Sequence, residues 1–199
     1  LVNVPLMKEL DAPTKGKVIP KLMPKALYYF RWGAVGTVLV GLIYYAIYII
    51  PSDAQAAGAG YHSWLGIWLV IVLVTYAVIY PLIHKINDGR VLAICIAILV
   101  IIMSGVMIYL FKGNKTIAIG IGGGLGVIMM LNVWGIIWRY QKKIIAWTAD
   151  NADNGTPIPA ESAQLARKVF LASRTNAWLS LPMLLLMGAS HGDYIMFIK

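Results

Sequence analysis

Three polar side chains, Asn132, Arg174 and Asn176, stand in or beside runs of apolar residues. A guanidinium offers a fixed fork of donors, and a carboxamide offers a donor and an acceptor together. Grouped at one membrane edge, they suit a planar, oxygen-rich anion held by paired, charge-assisted hydrogen bonds. The same residues also fit a plainer role, an interhelical hydrogen-bond clasp worth about 1 kcal/mol, with Arg174 as a flanking charge. Burying an unpaired amide or charge in hydrocarbon is costly, so either role gives these positions weight.

The chain has 3 histidines, His62, His84 and His191. His62 and His191 are expected at one edge of the apolar region and His84 at the other, so only the first two could share a haem or a metal ion. A bis-histidine haem b draws its ligands from within helices. Here His62 sits at a loop-to-helix junction and His191 follows Gly188, positions where histidine ordinarily titrates or caps. His191 still stands out, because Pro182 frees a backbone carbonyl inside the last apolar run, and a break of that kind lines a cavity. Cys95 is the single cysteine, which leaves no intrachain disulfide and no thiolate metal cluster. The Cys-x-x-Cys-His attachment sequence is absent from the chain. Covalently held haem is therefore excluded, haem b is the one prosthetic group left open, and no metal site is expected.

Gly120, Gly122, Gly123, Gly124 and Gly126 crowd one apolar run. A phosphate loop would need a preceding strand and a Gly-Lys-Ser/Thr ending, and neither is there. Small residues four apart instead let two membrane helices approach closely. Gly120 with Gly124 and Gly122 with Gly126 meet that rule, and Gly33, Thr37 and Gly41 form a similar seam earlier in the chain. One such face is free to meet a partner subunit.

These residues are carried by long apolar runs. A helix needs about 20 apolar residues to cross the hydrocarbon core, and 27–50, 64–86, 91–111 and 116–138 supply them. A shorter run over 176–189 becomes a fifth span if the helix continues back through 160–174, a stretch without a breaker. The composition, 60% hydrophobic and 13% charged, leaves too little polar surface for a soluble globule. The expected fold is all-α, a polytopic transmembrane helix bundle of about five spans over 27–199, with the lipid bilayer as its principal partner.

The net charge of +9 does not form a basic stripe interleaved with aromatics, so a nucleic-acid partner is not expected. The basic residues cluster at alternate membrane edges: Lys8 to Arg31, then Lys85 and Arg90, then Arg139 to Lys143 and Arg167 to Arg174. By the excess of Lys and Arg on cytoplasmic loops, these ends face the cytoplasm. Residues 1–26 read as a cytoplasmic loop, extended over 11–24 by its prolines, following a further helix upstream. A second cytoplasmic loop is expected near 141–172. Tyrosines and tryptophans at the ends of the runs fit the interfacial layers.

The run GGGLGVIMMLNVWGIIWRYQKKI from Gly122 and the run ASRTNAWLSLPMLLLMGASHG from Ala172 resemble the membrane domain of the bacterial cytochrome c-linked urate hydroxylases. The segments VNVPLMKELDAP and PKALYYFRWGA resemble that family too. The resemblance implies a multi-pass protein of the bacterial inner membrane whose C-terminal cytochrome c domain accepts electrons from urate oxidation. It carries over to Asn132, Gln141, Arg174, Asn176 and His191. The chain departs from the pattern in having no haem attachment site and in ending GDYIMFIK. Two functions follow as expectations. One is a redox domain in which Asn132, Arg174 and Asn176 orient a small anion and His191 is acid, base or haem ligand, with electrons leaving to a cytochrome c partner. The other is a non-catalytic transmembrane subunit of a larger respiratory or oxidase complex.

Overall fold

The computed structural model describes residues 9–190 and 197. Among them there is no strand, and 5 helices are long and apolar enough to cross a membrane. Helix α1 comprises Ala12–Tyr44, a π-helical segment Tyr45–Ile49 and Ile50–Ala56; α2 is Tyr61–Lys85 and α3 is Gly89–Leu110. Helix α4 runs through Asn114–Asn132, a second π-helical segment Val133–Trp138 and Arg139–Asn154, and α5 is Glu161–Ala189.

The helix starts follow from local chemistry. Asp11 accepts a hydrogen bond from the Thr14 amide, and Pro13 lies in the first turn, where its missing N–H costs nothing. Asp88 caps α3, accepting from the amides of Arg90 at 2.7 Å and Val91 at 3.4 Å. Helix α4 is capped from across the bundle, where Asp53 of α1 accepts from the Thr116 amide at 3.2 Å. A carboxylate there also meets the positive end of the helix dipole. Gly155 closes α4 at φ +70°, a conformation that favours glycine.

Helix α4 is the axis of the bundle. Of its apolar span 78% is buried inside the protein, against 17% for α1 and 28% for α5. The other helices surround it, with α5 its most extensive partner. Their outward faces carry Val40, Val70, Val74, Ile94, Ile101, Leu184 and Leu185, all exposed. Apolar surface on every side of the molecule far exceeds the patches that a water-soluble monomer leaves uncovered. Lipid is the solvent that these faces fit.

Glycine makes the axis thin enough to be surrounded. A Cβ on Gly120 would fall 2.5 Å from the Tyr45 hydroxyl, and one on Gly124 would fall 2.9 Å from Val72 Cγ2. On the opposite face, a Cβ on Gly122 would lie 3.1 Å from Met187 Cγ, and one on Gly126 would lie in ordinary contact with Met183. Residues four apart share a face, so Gly120 and Gly124 admit α1 and α2, while Gly122 and Gly126 admit α5. Gly33 and Gly41 have nothing within 4 Å of where a Cβ would stand.

Among the described residues, the two expected loops are largely helical. The extended segment expected over 11–24 is the start of α1, which passes through Pro20 and Pro24 without ending. It is held by the polar extension of α4, where a Cβ on Gly16 would fall 2.8 Å from Ala152 Cβ, and by Ile19 and Met23 packed on the core. The loop expected near 141–172 contracts to residues 155–160, with helix on both sides. Helix α5 does continue back from the short apolar run, to Glu161.

Candidate functional site

The polar groups of the bundle interior gather where α4 changes its winding. Asn132 is the last residue before the π-helical segment Val133–Trp138. A π turn carries an extra residue and re-aims the side chains beyond it, a distortion frequent at functional sites. Asn132 is fully buried. Its Nδ2 donates to Asn176 Oδ1 at 2.8 Å, and Asn176 Nδ2 donates to the Met129 carbonyl at 3.0 Å. The Asn132 Oδ1 is buried without a partner, an unmet acceptor in an apolar interior.

Arg174 does not join that pair. Its side chain is exposed and its Nη1 lies 4.0 Å from where a Cβ on Gly89 would stand, at the start of α3. Residues two apart on a helix point to nearly opposite faces, which separates Arg174 from Asn176. Gln141 is half-buried beyond the π turn, and His191 lies outside the described residues.

The π segment also seats an arginine. The Arg31 guanidinium carbon of α1 lies 3.9 Å from the Trp138 ring centroid and 5.2 Å from that of Trp134, in reach of a cation–π attraction. Arg31 Nε and Trp134 Nε1 are both buried without a hydrogen-bond acceptor.

One helical turn further along, the C-terminal end of α2 and the first turns of α5 form a polar cleft, with Tyr140 of α4 beside it. His84 Nδ1 lies 2.7 Å from the Tyr80 carbonyl, and Nε2 lies 2.7 Å from the Tyr140 hydroxyl. A carbonyl only accepts, so Nδ1 carries the proton. In the neutral ring Nε2 then accepts from Tyr140. Beside this pair a cavity of about 470 Å³ is lined by His84, Asn87, Ala163, Gln164, Arg167 and Lys168. Arg167 Nη2 donates to the Asn87 carbonyl at 2.8 Å, which pins α5 to the turn between α2 and α3. In sequence Arg167 and Lys168 read only as flanking charge. The signal that would have raised them is the helical spacing of Gln164, Arg167, Lys168 and Arg174, polar residues three, four and seven apart on one side of α5.

His62 and His84 lie at opposite ends of α2, roughly 33 Å apart at about 1.5 Å per residue, and both ring nitrogens of His84 are engaged. These two do not fit one haem, and the pairing of His62 with His191 reaches outside the described residues. Among the described residues, no three of His, Cys, Asp and Glu converge as metal ligands do.

The family model for Urate oxidase N-terminal matches residues 11–197, from the cap of α1 to beyond the end of α5. The chain belongs to the urate oxidase N-terminal family. The match covers the π segments, the asparagine clasp and the cleft between α2 and α5 alike. No curated protein and no solved structure matches the chain.

Proposed function

We propose that this bundle is the urate hydroxylase-like membrane domain of a bacterial inner-membrane protein, taking up a small anion, urate by family, and passing its electrons to a cytochrome c. The single observation behind this reading is the family match over 11–197, laid on a bundle of 5 membrane-length helices. Asn132 and Asn176, with an unmet acceptor in the apolar interior, are the chain's own groups for orienting a donor-bearing ring. Arg174, exposed and facing away from that pair, meets the anion at the surface before it reaches them, and His191 exchanges a proton.

The test is urate-dependent reduction of added cytochrome c by membranes that contain the intact protein. An absorption spectrum adds a second readout, because a Soret band supports a haem b in the path. Failure of urate to reduce the cytochrome removes the reading.

A second reading rests on one observation, the open face of α1. Gly33, Gly36 and Gly41 have nothing within 4 Å, which suits a helix of another subunit in a larger oxidase complex. Cross-linking from introduced cysteines at Thr37 captures that subunit if this face is an interface.

A further inference from the structure

We infer that the cleft between the inner end of α2 and the first turns of α5 is a binding site for a small soluble anion. It is formed by Arg167 and Lys168 with the amides of Gln164 and Asn87. The site stands on its own geometry; only the identity of the anion as urate rests on the reading above.

The lining holds an arginine, a lysine, two carboxamides and His84, and no carboxylate. Two acids stand near it without lining it: Asp88, which accepts from the amides of Arg90 and Val91 and whose charge meets that of Arg167, and Glu161 in the first turn of α5, whose charge reaches Tyr140. Arg167 spends one N–H on the Asn87 carbonyl and keeps others of its five donors for a ligand. That bond fixes the plane of the guanidinium, so less rotamer freedom is lost when an anion binds. Lys168 is half-buried, its Nζ 5.9 Å from the Tyr140 ring centroid on α4. His84 and Tyr140 are committed to each other and shape the cleft without supplying its charge. A volume of about 470 Å³ is of the size that takes a small organic molecule. Residues two turns along the same α5 stripe reach Arg174, which gives an anion a cationic track toward the start of α3.

A lipid phosphate carries the same chemistry, and the experiment separates the two sources. The protein is reconstituted in phosphatidylcholine nanodiscs, and binding of labelled urate and of labelled inorganic phosphate is measured by equilibrium dialysis. Arg167→Gln and Lys168→Gln are each expected to raise Kd by about tenfold or more, the weight of a charge-assisted hydrogen bond. Arg139→Gln and Lys142→Gln, at the same end but outside the cleft, leave it unchanged. Binding also weakens with added salt, because the cleft is open to solvent. Lys168→Gln leaves the Arg167–Asn87 bond intact, so it tests the site even if Arg167→Gln perturbs the fold. Phosphate binding without urate binding keeps the site and removes urate. Absence of binding by both anions overturns the proposal, as does equal loss in the Arg139 and Lys142 variants. Displacement of both bound anions when phosphatidylglycerol is added to the nanodisc assigns the cleft to lipid and also overturns it.

Discussion

Asn132 donates from its Nδ2 to Asn176 Oδ1 across 2.8 Å, and this bond ties the buried axis helix to α5 at the point where the axis changes its winding. Asn176 then donates to the Met129 carbonyl, so the pair satisfies a backbone acceptor one turn before the π segment. A double-mutant cycle of Asn132→Ala and Asn176→Ala, read by unfolding in mixed micelles, is expected to give a coupling of about 0.6 kcal/mol and at most ~1.7 kcal/mol. A coupling indistinguishable from zero means that the clasp does not hold the two helices.

The glycines separate by face. Gly124→Ala places a methyl 2.9 Å from Val72 Cγ2, and overpacking of this kind costs about 1–3 kcal/mol. Gly120→Ala meets the Tyr45 hydroxyl, which donates to the Thr116 carbonyl at 3.1 Å, and loses a similar amount. Gly41→Ala meets nothing and gains slightly through helix propensity. Thermal unfolding of the three variants in one detergent checks the order, and a loss at Gly41 as large as that at Gly124 contradicts it.

Asp88 gives a pH signature. Hydrogen bonds from the Arg90 and then the Val91 backbone amides hold its carboxyl below the usual carboxylate range, with the charges of Arg90 and Arg167 adding to the effect. A depressed folded pKa contributes stability that is present above the unfolded value, about 3.9, and is lost as pH falls through the folded one. Wild type is therefore expected to exceed Asp88→Ala by a constant margin from pH 7 down to about pH 5, and the margin to vanish under stronger acid. A margin that grows on acidification has the wrong sign.

Topology follows from contacts at the two ends. Arg167 with Asn87, and His84 with Tyr140, close one end; Asp53 with Thr116 closes the other. With Cys95 replaced by serine, single cysteines at Lys85 and Lys142 are expected to label from the cytoplasmic side of sealed vesicles, and those at Gln55 and Lys112 from the opposite side. Labelling of Lys142 and Lys112 from one side breaks the arrangement.

The spans were legible because uninterrupted apolar runs are the strongest signal a membrane chain carries. The spacing of Gly120, Gly122, Gly124 and Gly126 was legible too, since four residues return to the same face of a helix. Which neighbour each face admits was not, because Tyr45, Val72 and Met187 are distant in sequence. The first turns of α1 read as extended in sequence because of their prolines, Pro20 and Pro24. A proline-bearing helix is held by what it packs against, and Ala152 lies far along the chain from Gly16. Asn132 and Asn176 could be picked out as polar residues in apolar surroundings, but their direct bond depends on the register of α4 against α5. Arg174 is close to Asn176 in sequence, but the helical twist turns it away. The pairing of His84 with Tyr140 and the cleft beside it left no local trace, since the partners come from three helices.

Urate-driven reduction of cytochrome c by membranes carrying the intact protein tests the central claim most directly. The account predicts reduction that depends on urate, and that falls when Asn176 is replaced by leucine while the protein remains folded in the membrane. A rate equal to that of membranes lacking the protein contradicts it.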